Sequence, residues 1–383
     1  MAKILTMSEF INSRASLGGV NPAASLNQVS RSLSKRISIV VACRNESRHI
    51  RVFIDSVFEQ DLDGIVWELI IADGMSSDGT AELLNEFASG NSRVKLLQNP
   101  SRIVATGLNA AIRAAQGEII LRMDAHTEYS RNYVKSCLEI LEKTGAYNVG
   151  GPARTKATGL RARSIEAAYH NPFSTGGARF HDENYTGYVD TVPYGCWRKE
   201  TLIRLGLFDE QLVRNQDDEL NLRLTRSGGK IWQSSEIVSW YRPRTTIRSL
   251  FRQYFQYGFW KVCVIRKHKI PASWRHLVPG GFVLLNLMFF LAALAAATSG
   301  FQTALRRIVL GWTSLLALYA IGCVTAAYLS ARRSGWALLS YLPLTFVVFH
   351  VSYGIGFLAG VIYWPFAGTE RPELGNLFGG DTQ

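Results

Sequence analysis

Apolar residues in this chain follow two regimes. Between Ile37 and Leu141 short apolar runs alternate with stretches at helical spacing, and beyond Leu277 long runs free of Asp, Glu, Lys and Arg dominate. The runs Ile37–Ala42, Trp67–Ala72, Val94–Leu97 and Ile119–Met123 have the length of buried strands. Helical patterns fall between them at His49–Glu59, Thr80–Ala88 and Ile103–Ala115, with Gly90 and Gly117 where C-caps are expected. Such alternation predicts an α/β domain, a mostly parallel sheet covered by helices. From Gly150 to Trp240 the pattern turns irregular. Gly150-Gly151-Pro152 and Ser174–Gly177 read as flexible loops over a site, and Asp218–Thr225 as a short helix.

Leu277–Ser299, Ile308–Ser330 and Ala337–Trp364 are each long enough to cross a hydrocarbon core, which takes about 20 apolar residues. Three in succession predict a membrane anchor of three transmembrane helices. After Pro243, apolar and aromatic residues recur at helical spacing from Ile247 to Val262, with Arg248, Arg252 and Lys261 between them. That pattern fits a basic helix lying in the membrane interface, or one packed on the preceding domain. The expected organisation is an N-terminal arm over 1–36, a catalytic domain over 37–245, the basic helix over 246–276, the membrane helices over 277–364 and a tail over 365–383.

The net charge of +12 is concentrated: nine Lys or Arg and no Asp or Glu lie between Arg242 and His276. Basic residues beside a first span mark the cytoplasmic side and attract anionic headgroups. Because they abut a span, nucleic acid is not expected as a partner. Arg332 and Arg333 agree with that orientation, while Arg306 and Arg307 oppose it. Three crossings would leave the C-terminal tail outside. The five cysteines are scattered without a close pair, which fits a reducing compartment.

Polar chemistry gathers where the strand-like runs end. Arg44 and Glu46 follow the first run, Asp73 the second, and Asp124 and His126 the fourth. Ligands of an open α/β sheet bind outside the carboxyl ends of its parallel strands. Asp124 and His126, two apart in an extended segment, could face one cation or simply cap a loop. Asp73 is placed to accept hydrogen bonds from a base or ribose, whereas Asp78 reads as a helix cap. In Gln216-Asp217-Asp218-Glu219 the carboxylates either cap a helix or supply a general base. Neither G-x-G-x-x-G nor the G-x-x-x-x-G-K-[ST] phosphate loop is present.

Taken in order, ISIVVACRNE from Ile37, DGMSSDGT from Asp73, Asp124-Ala125-His126, Gly150-Gly151 and QDDELNLRL from Gln216 resemble the motifs of family 2 glycosyltransferases with the GT-A nucleotide-diphospho-sugar transferase fold. VPYGCWRKE from Val192, Phe208-Asp209-Glu210 and RQYFQYG from Arg252 are most similar to bacterial succinoglycan-type exopolysaccharide glucosyltransferases. The resemblance implies an inverting membrane hexosyltransferase using UDP-glucose, with galactose or an N-acetylhexosamine as alternatives. Its acceptor would be a polyprenyl-diphosphate-linked saccharide at the cytoplasmic face of a bacterial inner membrane, with polysaccharide-assembly proteins as further partners. It also implies a nucleotide-sugar pocket of Ala42, Arg44, Glu46, Asp73 and Arg102, and a divalent cation (Mn2+ or Mg2+) on Asp124 and His126. Asp217 would be the base, with Asp218 as second candidate. Tyr194, Gly195, Trp197, Arg252 and Gln253 would serve the acceptor or gate its access. His126 and Gln216 stand where the family carries acids. The processive Gln/Arg-Trp motif is absent, which favours single addition over a polymer synthase; a non-catalytic nucleotide-sugar-binding scaffold is the other alternative.

Overall fold

The computed structural model describes residues 36–367. Apart from Arg36, the expected arm lies outside the described residues, as does the tail beyond Ala367. Strands β1 (Ile37–Cys43), β2 (Trp67–Asp73), β3 (Val94–Gln98) and β4 (Ile119–Arg122) alternate with helices α1 (Ile50–Phe58), α2 (Thr80–Gly90) and α3 (Val104–Ala114). β1 pairs in parallel with β2 and β4, and β2 with β3. Successive strand residues face opposite ways, so the sheet has two cores. Ile37, Ile39 and Val41 enter one with Ile50 and Phe53 of α1 and Cys137 and Leu141 of α4 (Tyr133–Thr144). Val40, Ile70 and Ile120 enter the other with Leu108, Ala111 and Ile112 of α3. Burying one such Ile or Leu contributes about 1.5–3 kcal/mol, which fixes the register of each strand.

The remaining strands are β5 (Thr127–Tyr129), β6 (Asn148–Gly150), β7 (Arg154–Thr155), β8 (Gly187–Val189), β9 (Cys196–Arg198), β10 (Ile231–Gln233) and β11 (Ser239–Tyr241). The main sheet has eight strands in the order β3-β2-β1-β4-β9-β6-β10-β8, and β5-β11-β7 form a small second sheet. β9 enters antiparallel between β4 and β6, which makes the sheet mixed. Helices α5 (Leu160–Tyr169), α6 (Pro172–Thr175), α7 (Lys199–Arg204) and α8 (Gln216–Arg226) complete this part.

Three glycine expectations change. Gly117 is not a C-cap, since α3 ends at Ala114; a Cβ there would meet the backbone nitrogen of Ser38 at 2.5 Å, so the residue permits a close chain approach. Gly151 is not part of a loose loop either, because a Cβ there would collide with the Ile237 carbonyl oxygen. Gly90 ends α2, and Asn91 follows as its cap.

Past β11 come α9 (Ile247–His268), α10 (Val278–Thr298), α11 (Gln302–Ser334) and α12 (Leu342–Tyr363). By length and composition alone, three helices of the described residues could cross a membrane, including α10, α11 and α12. α9, basic and aromatic, packs on the catalytic part. Its Gln256 accepts from Arg214 Nε at 3.0 Å, and Lys267 pairs with Asp209 at 2.7 Å and Glu219 at 2.9 Å. Its aromatic face is covered by α12, with Tyr254 against Phe349 and Phe259 against Trp364.

Candidate active site

The carboxyl ends of β1, β2 and β4 open on a cavity of about 550 Å³. Two of its walls are laced together by the loops after β1 and β2. The amide of Asn45 donates to Ser76 Oγ at 2.9 Å, that of Glu46 to Thr80 Oγ1 at 2.8 Å, and that of Ser47 to Asp78 Oδ2 at 3.1 Å. Asp78 also accepts from the Thr80 amide, so it has the structural role expected of it. These bonds hold its pKa down to about 2: burial opposes ionisation, but the Thr80 and Ser47 donors outweigh it.

Asp73 has partners that the sequence did not show. Its carboxylate is buried and accepts from the Ser76 hydroxyl at 2.5 Å and the Ser76 amide at 3.0 Å. It is therefore engaged within its own loop, and Gly74 takes its place on the cavity wall. Ala42, Arg44, Glu46 and Arg102 do line the cavity. Arg102, Tyr194 and Asn215, all on this wall, hold φ near +60°, a left-handed conformation that costs non-glycine residues on the order of 1 kcal/mol or more and clusters at functional sites.

The last residue of β4 supplies a group that sequence reasoning missed. Arg122 is buried, and its guanidinium forks onto Asp124, with Nε to Oδ1 and Nη2 to Oδ2 both at 3.1 Å. Burial opposes its charge, but Asp124 and then Asp217 more than compensate. One arginine thus links the Asp124 segment to the start of α8. The signal was a lone charge inside the apolar run Ile119–Met123. Beside it, the Asp124 amide donates to Tyr129 Oη at 2.7 Å, and Tyr194 Oη shares a hydrogen with Thr127 Oγ1 at 2.6 Å.

Asp124 and His126 both face the cavity, as expected. His126 Nδ1 lies 3.4 Å from Glu46 Oε1, and Glu46 Oε2 is buried without a partner. Among the described residues no three His, Cys, Asp or Glu side chains form a complete cation cage. A hard divalent ion commonly takes one or two protein donors and completes its shell with substrate phosphates and water. A carboxylate, an imidazole and an unpartnered carboxylate oxygen on one wall fit such a partial set.

α8 begins at Asn215, whose side chain donates to the Tyr257 carbonyl of α9 at 3.0 Å. This docks the helix start on α9 and turns Gln216, Asp217 and Asp218 to the cavity. The two aspartates diverge. Asp217 is pushed above the ordinary carboxylate range by burial and then by the neighbouring Asp218. For Asp218 burial pulls the same way, but Lys261, with Nζ at 2.5 Å, holds it below that range. Asp217 is thus a carboxylate with enhanced proton affinity; Asp218 is a fixed counter-ion. Lys261, which interrupts the aromatic face of α9, was also not foreseen in this role.

The helices after β11 also line the cavity, through Tyr254 of α9, Pro279 of α10, and Phe349, His350 and Tyr353 of α12. Gln253 is on the wall, whereas Arg252 is exposed and away from it. Trp197 is not at the acceptor end. It is 1% exposed in the second core, edge-on to Phe208, and Gly195 packs directly against its ring. Alternation within β9 explains this: Cys196 faces the first core, so the adjacent Trp197 faces the second.

Residues 38–201 match the family model described as glycosyl transferase family 2. The chain is 30% identical over 243 residues to the succinoglycan biosynthesis protein ExoA of Rhizobium meliloti (strain 1021), covering 63% of this chain and 73% of that protein. It is 26% identical over 337 residues to a dolichyl N-acetyl-alpha-D-glucosaminyl phosphate 3-beta-D-2,3-diacetamido-2,3-dideoxy-beta-D-glucuronosyltransferase of Methanococcus voltae, covering 85% and 97%. Among solved structures, the mannosyltransferase PcManGT from Pyrobaculum calidifontis, in complex with GDP-Man and Mn2+, superposes with a TM-score of 0.53 at 20% identity over 89% of this chain and 96% of that one, so the two share the GT-A fold. With its mixed α/β sheet and ordered motifs, the chain belongs to glycosyl transferase family 2 and is a glycosyltransferase.

Proposed function

We propose that this glycosyltransferase is an inverting, membrane-anchored enzyme of exopolysaccharide synthesis that moves glucose from UDP-glucose to a saccharide carried on polyprenyl diphosphate. One observation carries this reading: a single cavity is lined both by Asp217 and the Arg122–Asp124 pair and by side chains of the apolar helices. A donor can enter from the strand ends while a lipid-borne acceptor arrives from the helices. Two relatives support the class of product and carrier, one in succinoglycan biosynthesis and one acting on a dolichyl-linked sugar. The basic residues of 242–276 fit a catalytic domain on the cytoplasmic face of a bacterial inner membrane.

In this mechanism Asp217 accepts the proton of an acceptor hydroxyl as its oxygen attacks the anomeric carbon. The bond from that carbon to the diphosphate oxygen breaks on the opposite face, and UDP departs with the electron pair. A raised proton affinity suits this role, since a base works best with a pKa closer to the working pH. Arg122 keeps Asp124 aimed into the cavity and balances the charge of Asp217. Ala42, Arg44 and Arg102 line the donor end, and Asp73 shapes that wall through Ser76. A divalent cation would be held by Asp124 and His126, where it would neutralise charge on the leaving diphosphate.

The test is incubation of membranes bearing the full chain with radiolabelled UDP-glucose and manganese, followed by extraction and sizing of lipid products, with Asp217→Asn in parallel. One sugar added per carrier, lost in the variant, is the expected result. A long polymer would favour processive synthesis, and nucleotide binding with no turnover from any donor would favour the scaffold reading.

A further inference from the structure

α12 has the hydropathy of a spanning helix, with a mean of 1.8, yet 44% of its apolar window is buried in protein against 6% for each of the other two candidates. We propose that α12 does not cross the bilayer. It lies in the membrane plane beneath the catalytic domain, so the described chain crosses twice, through α10 and α11, and Ala367 stays on the catalytic side.

Both ends of α12 rest on the catalytic half. At its start, Leu342 and Phe346 pack with Ile165 and Ala168 of α5, and Thr345 Oγ1 lies 3.4 Å from Ser164 Oγ. At its end, Trp364 packs with Leu212 and with Leu222 of α8, and its Nε1 donates to the Phe259 carbonyl at 3.0 Å. Between these points α12 follows α9: Phe349 meets Tyr254 at 4.3 Å between ring centres, and Gly356 and Gly360 pack under the Phe255 and Phe259 carbonyls.

The charged face of α9 then decides the orientation. Lys261 pairs with Asp218, and Lys267 with Asp209 and Glu219. If α12 stood along the membrane normal, α9 beside it would do the same, and these groups would sit at hydrocarbon depth. A charged side chain at that depth costs at least about 2.5 kcal/mol. With both helices in plane, every one of them stays on the catalytic side. The exposed Leu344, Ile355, Val361 and Ile362 are then the lipid-facing stripe of α12.

α10 and α11 behave differently. They form an antiparallel hairpin, with Phe282 against Tyr319 and Asn286 Oδ1 accepting from Trp312 Nε1 at 2.9 Å. From Pro279 to the turn at Gly300 is about 30 Å of helix at 1.5 Å per residue, the thickness of a hydrocarbon core. Arg275 lies at its base, Arg332 and Arg333 about 15 Å farther along α11 on that same side, and Arg306 and Arg307 near its tip.

Leu344 and Ile362 are 18 residues apart, about 27 Å along a helix. In the full chain with half-buried Cys263 replaced by Ser, Leu344→Cys and Ile362→Cys would each be labelled with a fluorophore and read by depth-dependent quenchers in lipid vesicles. Equal depths near one headgroup boundary are expected; depths in opposite leaflets would overturn the proposal. Independently, epitopes inserted at the exposed Asp63-Gly64 turn, at Gly300 and after Gln383 would be probed in sealed inverted membrane vesicles. The first and last should be accessible together and the Gly300 epitope protected. Protection of the Gln383 epitope, or access to the one at Gly300, would overturn it. Neither readout requires turnover, so failure here is distinct from failure of the proposed activity.

Discussion

Lys261 Nζ lies 2.5 Å from Oδ2 of Asp218, and this contact separates the duties of two adjacent carboxylates. Asp218 is tied to a lysine that is 3% exposed, while Asp217 Oδ1 accepts from the Asp218 amide at 2.9 Å. Asp217→Asn is expected to reduce kcat by about 10²–10⁴ while leaving donor binding intact, the range for loss of a general base. Asp218→Asn leaves Lys261 buried beside a neutral amide, which should cost on the order of 3 kcal/mol of stability. Thermal unfolding in detergent alongside single-turnover rates separates the two. Equal kinetic loss with no stability change for Asp218→Asn would reassign the base.

The raised pKa of Asp217 has consequences of opposite sign for rate and for stability. Burial and Asp218 raise it, while Arg122 and Lys261 pull it down. The base form exists only above the raised value, so the acidic limb of kcat/KM should lie above the ordinary aspartate range near 3.9. Replacing Asp218 by Asn removes one of the raising groups and should move that limb to lower pH. For stability, a folded-state pKa above the unfolded one favours the fold below the unfolded pKa, and this advantage is lost as pH rises through the folded one. At neutral pH the ionised carboxylate therefore costs stability. Asp217→Asn should melt higher than the parent at pH 7.5, with the difference vanishing near pH 3; a lower melting temperature at pH 7.5 would contradict the raised pKa.

What could be read from the sequence, and what could not, follows from how far each signal is local. β1, β2 and β4 were legible because each is a predominantly apolar run ending in polar residues, and their parallel order put Arg44, Glu46, Asp124 and His126 on one wall. The place of Asp217 at a helix start on the cavity wall was legible from a run of acids. Arg122 and Lys261 were not, since a single charge within an apolar pattern looks like noise until its partner, 2 or 43 residues away, is placed against it. Trp197 was misplaced because a motif gives no side to a strand; β9 turns that ring into the core. The Ser76 donors that engage Asp73 were not legible, because they depend on a turn with Met75 at φ +59°. α12 shows the limit of hydropathy, which measures removal from water and does not tell lipid from protein.

Glu219 fastens α8 to the end of α9. Fully buried, it receives Arg223 at 2.7 Å and both Lys267 and His268 at 2.9 Å. Burial opposes its charge, but Arg223, Lys267 and His268 hold its pKa below the usual range. The sign is the reverse of Asp217: this stability is present above the unfolded value near 4.3 and lost as pH falls through the folded one. Glu219→Ala should cost about 1–3 kcal/mol, because it leaves the half-buried donors of Arg223 and His268 without their acceptor. The loss should shrink below pH 4 in melts of parent and variant. An effect under 1 kcal/mol at pH 7.5 would show that α9 is held by its apolar contacts alone.

Gly356 sets how closely α12 approaches α9. A Cβ there would collide with the Phe255 carbonyl oxygen, and one at Gly258 with the Tyr353 carbonyl oxygen, so each backbone fills the space a side chain would need on the other. Close approach through small residues is a standard way for helices to gain van der Waals contact in an apolar setting. Gly356→Leu forces the pair apart and should cost about 1–3 kcal/mol, the range for overpacking a filled interface. Tyr353 and His350, which line the cavity from α12, would move with it. The expected kinetic signature is a rise in KM for the lipid-linked acceptor with KM for the nucleotide sugar unchanged, because the donor end is built from the sheet. Gly281, with open space around its Cβ position, supplies the control: Gly281→Ala in α10 should leave both constants and the melting temperature as they are. If Gly356→Leu instead raised KM for the donor alone, the apolar end of the cavity would not be the acceptor side.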